Sequence, residues 1–223
     1  MSEPRHEEGR AGVRPWSPLE RYRATAFLTA GVLFAGFAVR NGVIAFGGGL
    51  TEWQTMATYA AFVVPGELAA SLGLLGCYRR FEAGSPRLTR AAAVVVGVVF
   101  LSMVGFAVTT ASILAGSAVP EPSPVNQLLY LVSVLGTVLG FVLFGVSGLR
   151  GDRADRRLAV LLLVPPATYV VMIAGIAAGF TPEWSTFLLS AVQAVAHLAV
   201  GVTLRGGVRA SARDSPTPGG TGG

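Results

Sequence analysis

Residues 55–80 read TMATYAAFVVPGELAASLGLLGCYRR. From Thr55 to Tyr78 the run carries no basic side chain and a single acid, Glu67, and it ends abruptly at Arg79 and Arg80. As an α-helix rising about 1.5 Å per residue, a segment of this length covers the ~30 Å hydrocarbon core of a bilayer. The basic pair is then the mark of a membrane boundary.

Five further runs follow the same rule, so that the expected helices cover about 24 to 46, 55 to 78, 91 to 115, 127 to 149, 158 to 180 and 185 to 204. The arginines between them test the number. Arg5, Arg10, Arg14, Arg21 and Arg23 precede the first run; Arg79, Arg80, Arg87 and Arg90 lie between the second and third. Arg150, Arg153, Arg156 and Arg157 lie between the fourth and fifth, and Arg205, Arg209 and Arg213 follow the sixth. The other three connections carry Glu52, Glu121 and Glu183 and no arginine. Because basic residues are retained on the cytoplasmic side, this alternation predicts an all-α bundle of six transmembrane helices with short loops and both termini inside. Its domain is expected over 23–206, flanked by disordered cytoplasmic tails at 1–22 and 207–223, which lack apolar periodicity. The first run follows a long charged tail and is too long for a signal-peptide core, so it is expected to remain as a helix.

Composition agrees with this class and narrows the chemistry. Of the 223 residues 52% are hydrophobic and 13% charged, against about 25% charged in an ordinary soluble domain. All 17 basic side chains are arginine, which excludes a retinal or pyridoxal Schiff base on a lysine. The lone Cys77 excludes an internal disulfide or a thiolate cluster. His6 lies in the N-terminal tail and only His197 in an apolar run, so a bis-histidine haem within one chain is not expected. No metal-ligand spacing, P-loop or dinucleotide glycine pattern is present, and no cofactor is expected. Gly145-Val146-Ser147-Gly148 resembles the nucleophile motif of rhomboid intramembrane proteases over those residues alone, but Ser147 falls near the cytoplasmic end of its helix. No catalytic residue and no enzyme activity are assigned. The net charge of +5 is carried by arginine groups between apolar runs, which read as topology signals and contacts for anionic lipid rather than as a nucleic-acid face. Lysine-free usage rich in Ala, Gly, Val and Arg points to a GC-rich prokaryotic genome, and hence to the plasma membrane.

A few residues do not fit a plain apolar bundle. An ionised Glu67 at mid-membrane costs a few kcal/mol, so it is expected to be neutral, paired or facing water. Beside it Pro65 removes a backbone donor and frees the carbonyl of Ala61, and Gly66 is expected to leave space. Arg40, next to Asn41, is the one arginine placed in the outer half of a helix. An axial offset of roughly 7 Å puts it within reach of Glu67 on an adjacent antiparallel helix; the alternative is that it snorkels to the outer headgroups. Thr186, Ser190, Gln193 and His197 recur at spacings of four, three and four, which makes one polar stripe on the last helix. Tyr169, just after Pro165-Pro166, can reach the same interior.

Prolines at the middle helix of each half, Pro65 and then Pro165 and Pro166, fit the interrupted helices of an inverted-repeat transporter. Short echoes, such as Thr51-Glu52-Trp53 with Pro182-Glu183-Trp184, fit three parallel hairpins instead. Gly136/Gly140 and Gly175/Gly179 are GxxxG pairs that suit either internal packing or a contact with a second copy or a membrane partner. The expectation is passage, or proton-coupled transport, of a small solute through an interior containing Glu67. The alternative is a non-enzymatic accessory or assembly subunit of a membrane complex, for which apolar helices and small-residue faces suffice.

Overall fold

The computed structural model describes residues 17–116, 124–180, 182 and 184–213. Most of them lie in seven helices: α1 (Ser17–Ala45), α2 (Glu52–Gly76), α3 (Tyr78–Glu82), α4 (Pro86–Leu114), α5 (Pro124–Leu149), α6 (Arg153–Ala177) and α7 (Trp184–Arg213). All but α3 are long and apolar enough to cross a membrane. The chain is thus an all-helical, multi-pass membrane protein, the form in which backbone donors and acceptors are satisfied without water. Local signals set several starts. Pro18 and Glu20 fall in the first turn of α1, where a missing N–H is harmless and a negative charge meets the helix dipole. Thr51 caps α2 in a reciprocal box: its hydroxyl accepts from Gln54 N at 3.2 Å, and Gln54 Oε1 accepts from Thr51 N at 2.9 Å.

Each long helix packs against its sequence neighbours, and α1 closes on α7, so the six form a ring in chain order. Glycines set how closely neighbours approach. A methyl added at Gly201 would stand 2.7 Å from Leu28 Cγ, and one at Gly31 would stand 2.6 Å from Leu198 Cγ, so α1 and α7 each receive the other's leucine. Gly73 receives Phe27 in the same way between α2 and α1, and Gly140 receives Val96 between α5 and α4. In lipid, where apolar burial gives helices little reason to associate, such close packing is the main attraction between them.

The Gly136/Gly140 pair is therefore filled from within the chain, by Val99 and Val96. Gly179 belongs to no helix face: it lies past the end of α6 at φ +67°, where Gly179 N donates to Ile176 O at 3.1 Å and Phe180 N to Gly175 O at 2.9 Å. This is a left-handed helix stop that favours glycine.

Several expected boundaries are corrected. Residues 17–22 and 207–213, assigned to the tails, are helical, and α4 starts at Pro86 rather than 91. Helical hydrogen bonding continues past the point where hydropathy ends. Residues 1–16 and 214–223 of the expected tails, and Glu121 and Glu183, lie outside the described residues. The expected helix breaks are absent: α2 runs unbroken through Pro65, and α6 through Pro165 and Pro166. A proline deletes one helical donor, and a helix held by neighbours on both sides absorbs that loss.

Between the second and third spans the chain forms α3 instead of a plain loop. Its Phe81 is fully buried, with its ring 6.2 Å from that of Phe144 and against Gly148. The Phe81 carbonyl accepts from Thr89 Oγ1 at 3.1 Å and Ser147 Oγ at 3.3 Å. Arg79 Nε lies 3.3 Å from Glu20 of α1, and Arg80 Nε lies 2.6 Å from Asp155 of α6. The short helix thereby ties α1, α4, α5 and α6 together at the end of the ring that carries the arginine groups.

Candidate functional site

Midway along α2, Glu67 turns into the ring and is 5% exposed. Two hydroxyls from other helices hold its carboxyl. Thr137 Oγ1 of α5 donates to Oε2 at 3.2 Å, and Tyr169 Oη of α6 donates to Oε1 at 3.2 Å. A buried carboxyl left without donors would be destabilising, and here each oxygen has one. The space expected beside it is taken. A methyl at Gly66 would meet the ring of Phe34 at 3.3 Å, so this glycine admits an aromatic ring from α1 rather than solvent.

At the end of the ring away from Arg79 and Arg80 lies a cavity of about 280 Å³, its wall including Arg40, Asn41, Tyr59, Tyr130, Tyr169 and Gln193. Tyr169 is shared: it lines this cavity while its hydroxyl holds Glu67. Arg40 does not pair with Glu67, contrary to one sequence expectation. Its Nη1 donates to Asn41 Oδ1 at 2.7 Å, its guanidinium lies 5.5 Å from the centre of the Phe37 ring, and its Nε is buried without a partner among the described residues. Asn41 then donates through Nδ2 to Ser190 Oγ at 2.7 Å, and Ser190 donates to the carbonyl of Thr186. These bonds all run in one direction, from the cation on α1 to the backbone of α7, and each polarises the next.

The predicted stripe on α7 does face protein, but it divides. Thr186, Ser190 and Gln193 line the cavity, and Gln193 Nε2 donates to Thr168 Oγ1 at 2.9 Å, which donates to Pro165 O at 2.7 Å. His197 does not line it. The imidazole sits in an aromatic box, with ring centres 4.9 Å from Phe34, 5.6 Å from Phe141 and 6.2 Å from Phe27. Its Nδ1 is 2.7 Å from Gln193 O, which accepts from an N–H and so assigns the proton to Nδ1. Nε2 is buried without a partner among the described residues. No bond joins His197 to Glu67, so a direct proton handover between them is not built into this arrangement.

Sequence reasoning missed Thr137, Thr168, Tyr59 and Tyr130. A signal existed for Thr137. Ser133, Thr137, Gly140, Phe141, Phe144, Gly145, Ser147 and Gly148 are the buried residues of α5, and the steps of three and four from Ser133 through Thr137, Gly140 and Phe144 to Gly148 mark one stripe. The rejected Ser147 is fully buried, bonded to Thr89 Oγ1 at 2.7 Å and to the Phe81 carbonyl.

The fold and this interior define a multi-pass helical membrane protein with, at one end, a mostly apolar cavity that carries a few polar side chains, and a hydrogen-bonded acid beneath it. Comparison with protein-family models, with curated proteins and with solved structures finds no match to the chain.

Proposed function

We propose that this chain moves a small solute across the plasma membrane of a prokaryote, with proton exchange at Glu67 coupled to occupancy of the cavity. The observation that carries this is the double position of Tyr169, which lines the cavity and donates to Glu67 at 3.2 Å. A solute that moves the Tyr169 ring alters the bond that holds the acid. That is the differential interaction any coupling requires. Unbroken helices withdraw the proline pattern as support. Both termini are assigned to the cytoplasm on the arginine alternation. Arg87, Arg150, Arg156 and Arg157, exposed at one end of the ring, suit anionic lipid.

The test is purified protein in liposomes with an enclosed proton-sensitive dye, an imposed solute gradient and a panel of small solutes. Wild type is expected to give solute-dependent proton movement, and Glu67→Gln, which keeps the shape and can accept from Tyr169, is expected to fold and give none. An accessory role draws on the same bonds, since an acid held by two hydroxyls from two helices also serves as a packing joint. Retention of full, pH-dependent activity by Glu67→Gln would remove the acid from the transport step and leave it a packing joint, whereas no solute-dependent proton movement by wild type would leave the accessory role standing.

A further inference from the structure

We infer that the cavity binds a small monocarboxylate with an apolar or aromatic body, its carboxylate seated on Arg40. This builds on the proposed function by naming the class of solute, and it stands on separate observations.

The first is charge. Among the described residues Arg40 is the one formally charged side chain in the cavity wall, and no acid among them neutralises it: its Nη1 is bonded to the neutral Asn41, and Glu67 is held by Thr137 and Tyr169. A cation within the membrane-spanning region without a counter-charge is unfavourable, and an anionic ligand supplies one. The second is geometry. With Nη1 engaged by Asn41, the guanidinium retains its Nε edge, where Nε is buried and has no partner among the described residues, so a ligand that displaces its cover relieves an unmet donor. Nε and the terminal nitrogen beside it form the two-pronged donor that a carboxylate accepts in bidentate fashion. The bonds from Asn41 through Ser190 to the Thr186 carbonyl fix the Asn41 end of this arrangement. They hold the cation in place before the ligand arrives.

The third is the remainder of the wall. Phe37, Tyr59, Met172 and Leu189 present rings and aliphatic groups, which suit an apolar body. The volume of about 280 Å³ falls just below the ~300–1,000 Å³ range of drug-sized sites. The ligand is therefore small. A multiply charged anion such as phosphate would bring more charge than one guanidinium answers, and an organic cation would meet Arg40 directly.

The experiment is equilibrium dialysis of the full chain in lipid nanodiscs with radiolabelled benzoate, competed by benzyl alcohol, benzylamine or inorganic phosphate. Saturable benzoate binding is expected, with the three competitors at least about tenfold weaker than unlabelled benzoate, the size of effect one charge-assisted bond confers. Arg40→Gln is expected to weaken binding by about tenfold or more, and Arg40→Lys, which keeps charge but loses the fork, to fall between. Arg157→Gln at the other end of the ring serves as the control and is expected to bind as wild type. If Arg40→Gln does not elute as a single folded species, Arg40→Lys carries the comparison alone.

Equal competition by benzyl alcohol, unchanged binding in the folded Arg40 variants, or no saturable binding at all would each overturn the inference. Benzoate binding without proton movement in liposomes would sustain it and remove proton-coupled transport of this solute. Proton movement driven by other solutes, with no benzoate bound, would do the reverse.

Discussion

Tyr169 Oη donates to Glu67 Oε1 at 3.2 Å although 102 residues separate them in the chain. With Thr137 Oγ1 on Oε2, the carboxyl joins α2, α5 and α6, helices that hold side chains towards the centre of the ring. Because both bonds are buried, they are more sensitive to deletion than bonds at a wet surface.

Tyr169→Phe keeps the ring in the cavity wall and deletes one donor; Thr137→Val does the same for the other oxygen. Each is expected to lower the thermal stability of the detergent-solubilised protein, by an amount equivalent to about 1 kcal/mol. The pair together is expected to exceed the sum, since the acid then has neither donor. Thermal unfolding of the four species in one detergent provides the comparison. Strict additivity would mean that water or another group takes over when either hydroxyl is lost.

Asn41 and Ser190 join the first and last long helices through a bond of 2.7 Å, whereas Arg40 and Glu67 share none. A double-mutant cycle on Asn41→Ala and Ser190→Ala should show coupling of about 0.6 kcal/mol, and up to ~1.7, the range found for hydrogen bonds between membrane helices. The corresponding cycle on Arg40→Gln and Glu67→Gln is expected to be nearly additive. Strong coupling in the second cycle and none in the first would mean that Arg40 turns towards the acid in the bilayer.

The spans and the residues of the interior were legible for a common reason: a bilayer penalises every charge and every unpaired polar group within it, so exceptions stand out in sequence. Glu67, Asn41 and Gln193 were picked out in this way, and Tyr169 by its place just after Pro165-Pro166; all four lie in or directly beside the cavity. Their pairing was not legible. Axial spacing places Arg40 near the depth of Glu67, but α1 and α2 are apolar on nearly every side, so no stripe says which way a side chain points around the axis. In the structure Glu67 turns towards α5 and α6, and Arg40 turns along its own helix to Asn41 and Phe37. Helix α3 was hidden for another reason. Tyr78 to Glu82 is too short for periodicity to register, and the one sign of it was Phe81 among charged neighbours.

The arginine groups predict orientation as well as number. Reporter fusions placed after Arg80, Arg153 and Arg205 should all read cytoplasmic, because each follows an even number of spans from an inside N-terminus. A clear external reading at one of them would require a span to be gained or lost, or the whole orientation to be inverted if all three changed together.

Two glycines give a test of the ring itself. Gly97 on α4 has nothing within 4 Å of the position a side chain would occupy, whereas a methyl at Gly140 on α5 would lie 2.7 Å from Val96 Cγ2. Both are within helices, so alanine brings each the same gain in helix propensity, about 1 kcal/mol. At Gly97 nothing opposes that gain, and Gly97→Ala is expected to be neutral or stabilising in thermal unfolding. At Gly140 the added methyl must push α5 away from α4 or force Val96 off its rotamer, which costs ~1–3 kcal/mol. Gly140→Ala is therefore expected to unfold at a lower temperature than wild type. Gly140→Ala with Val96→Ala, which vacates the colliding methyls, should recover part of the loss. If Gly140→Ala were harmless to the folded chain and instead abolished self-association in crosslinking, Gly140 would belong to a contact between copies rather than to the packing of α4 on α5.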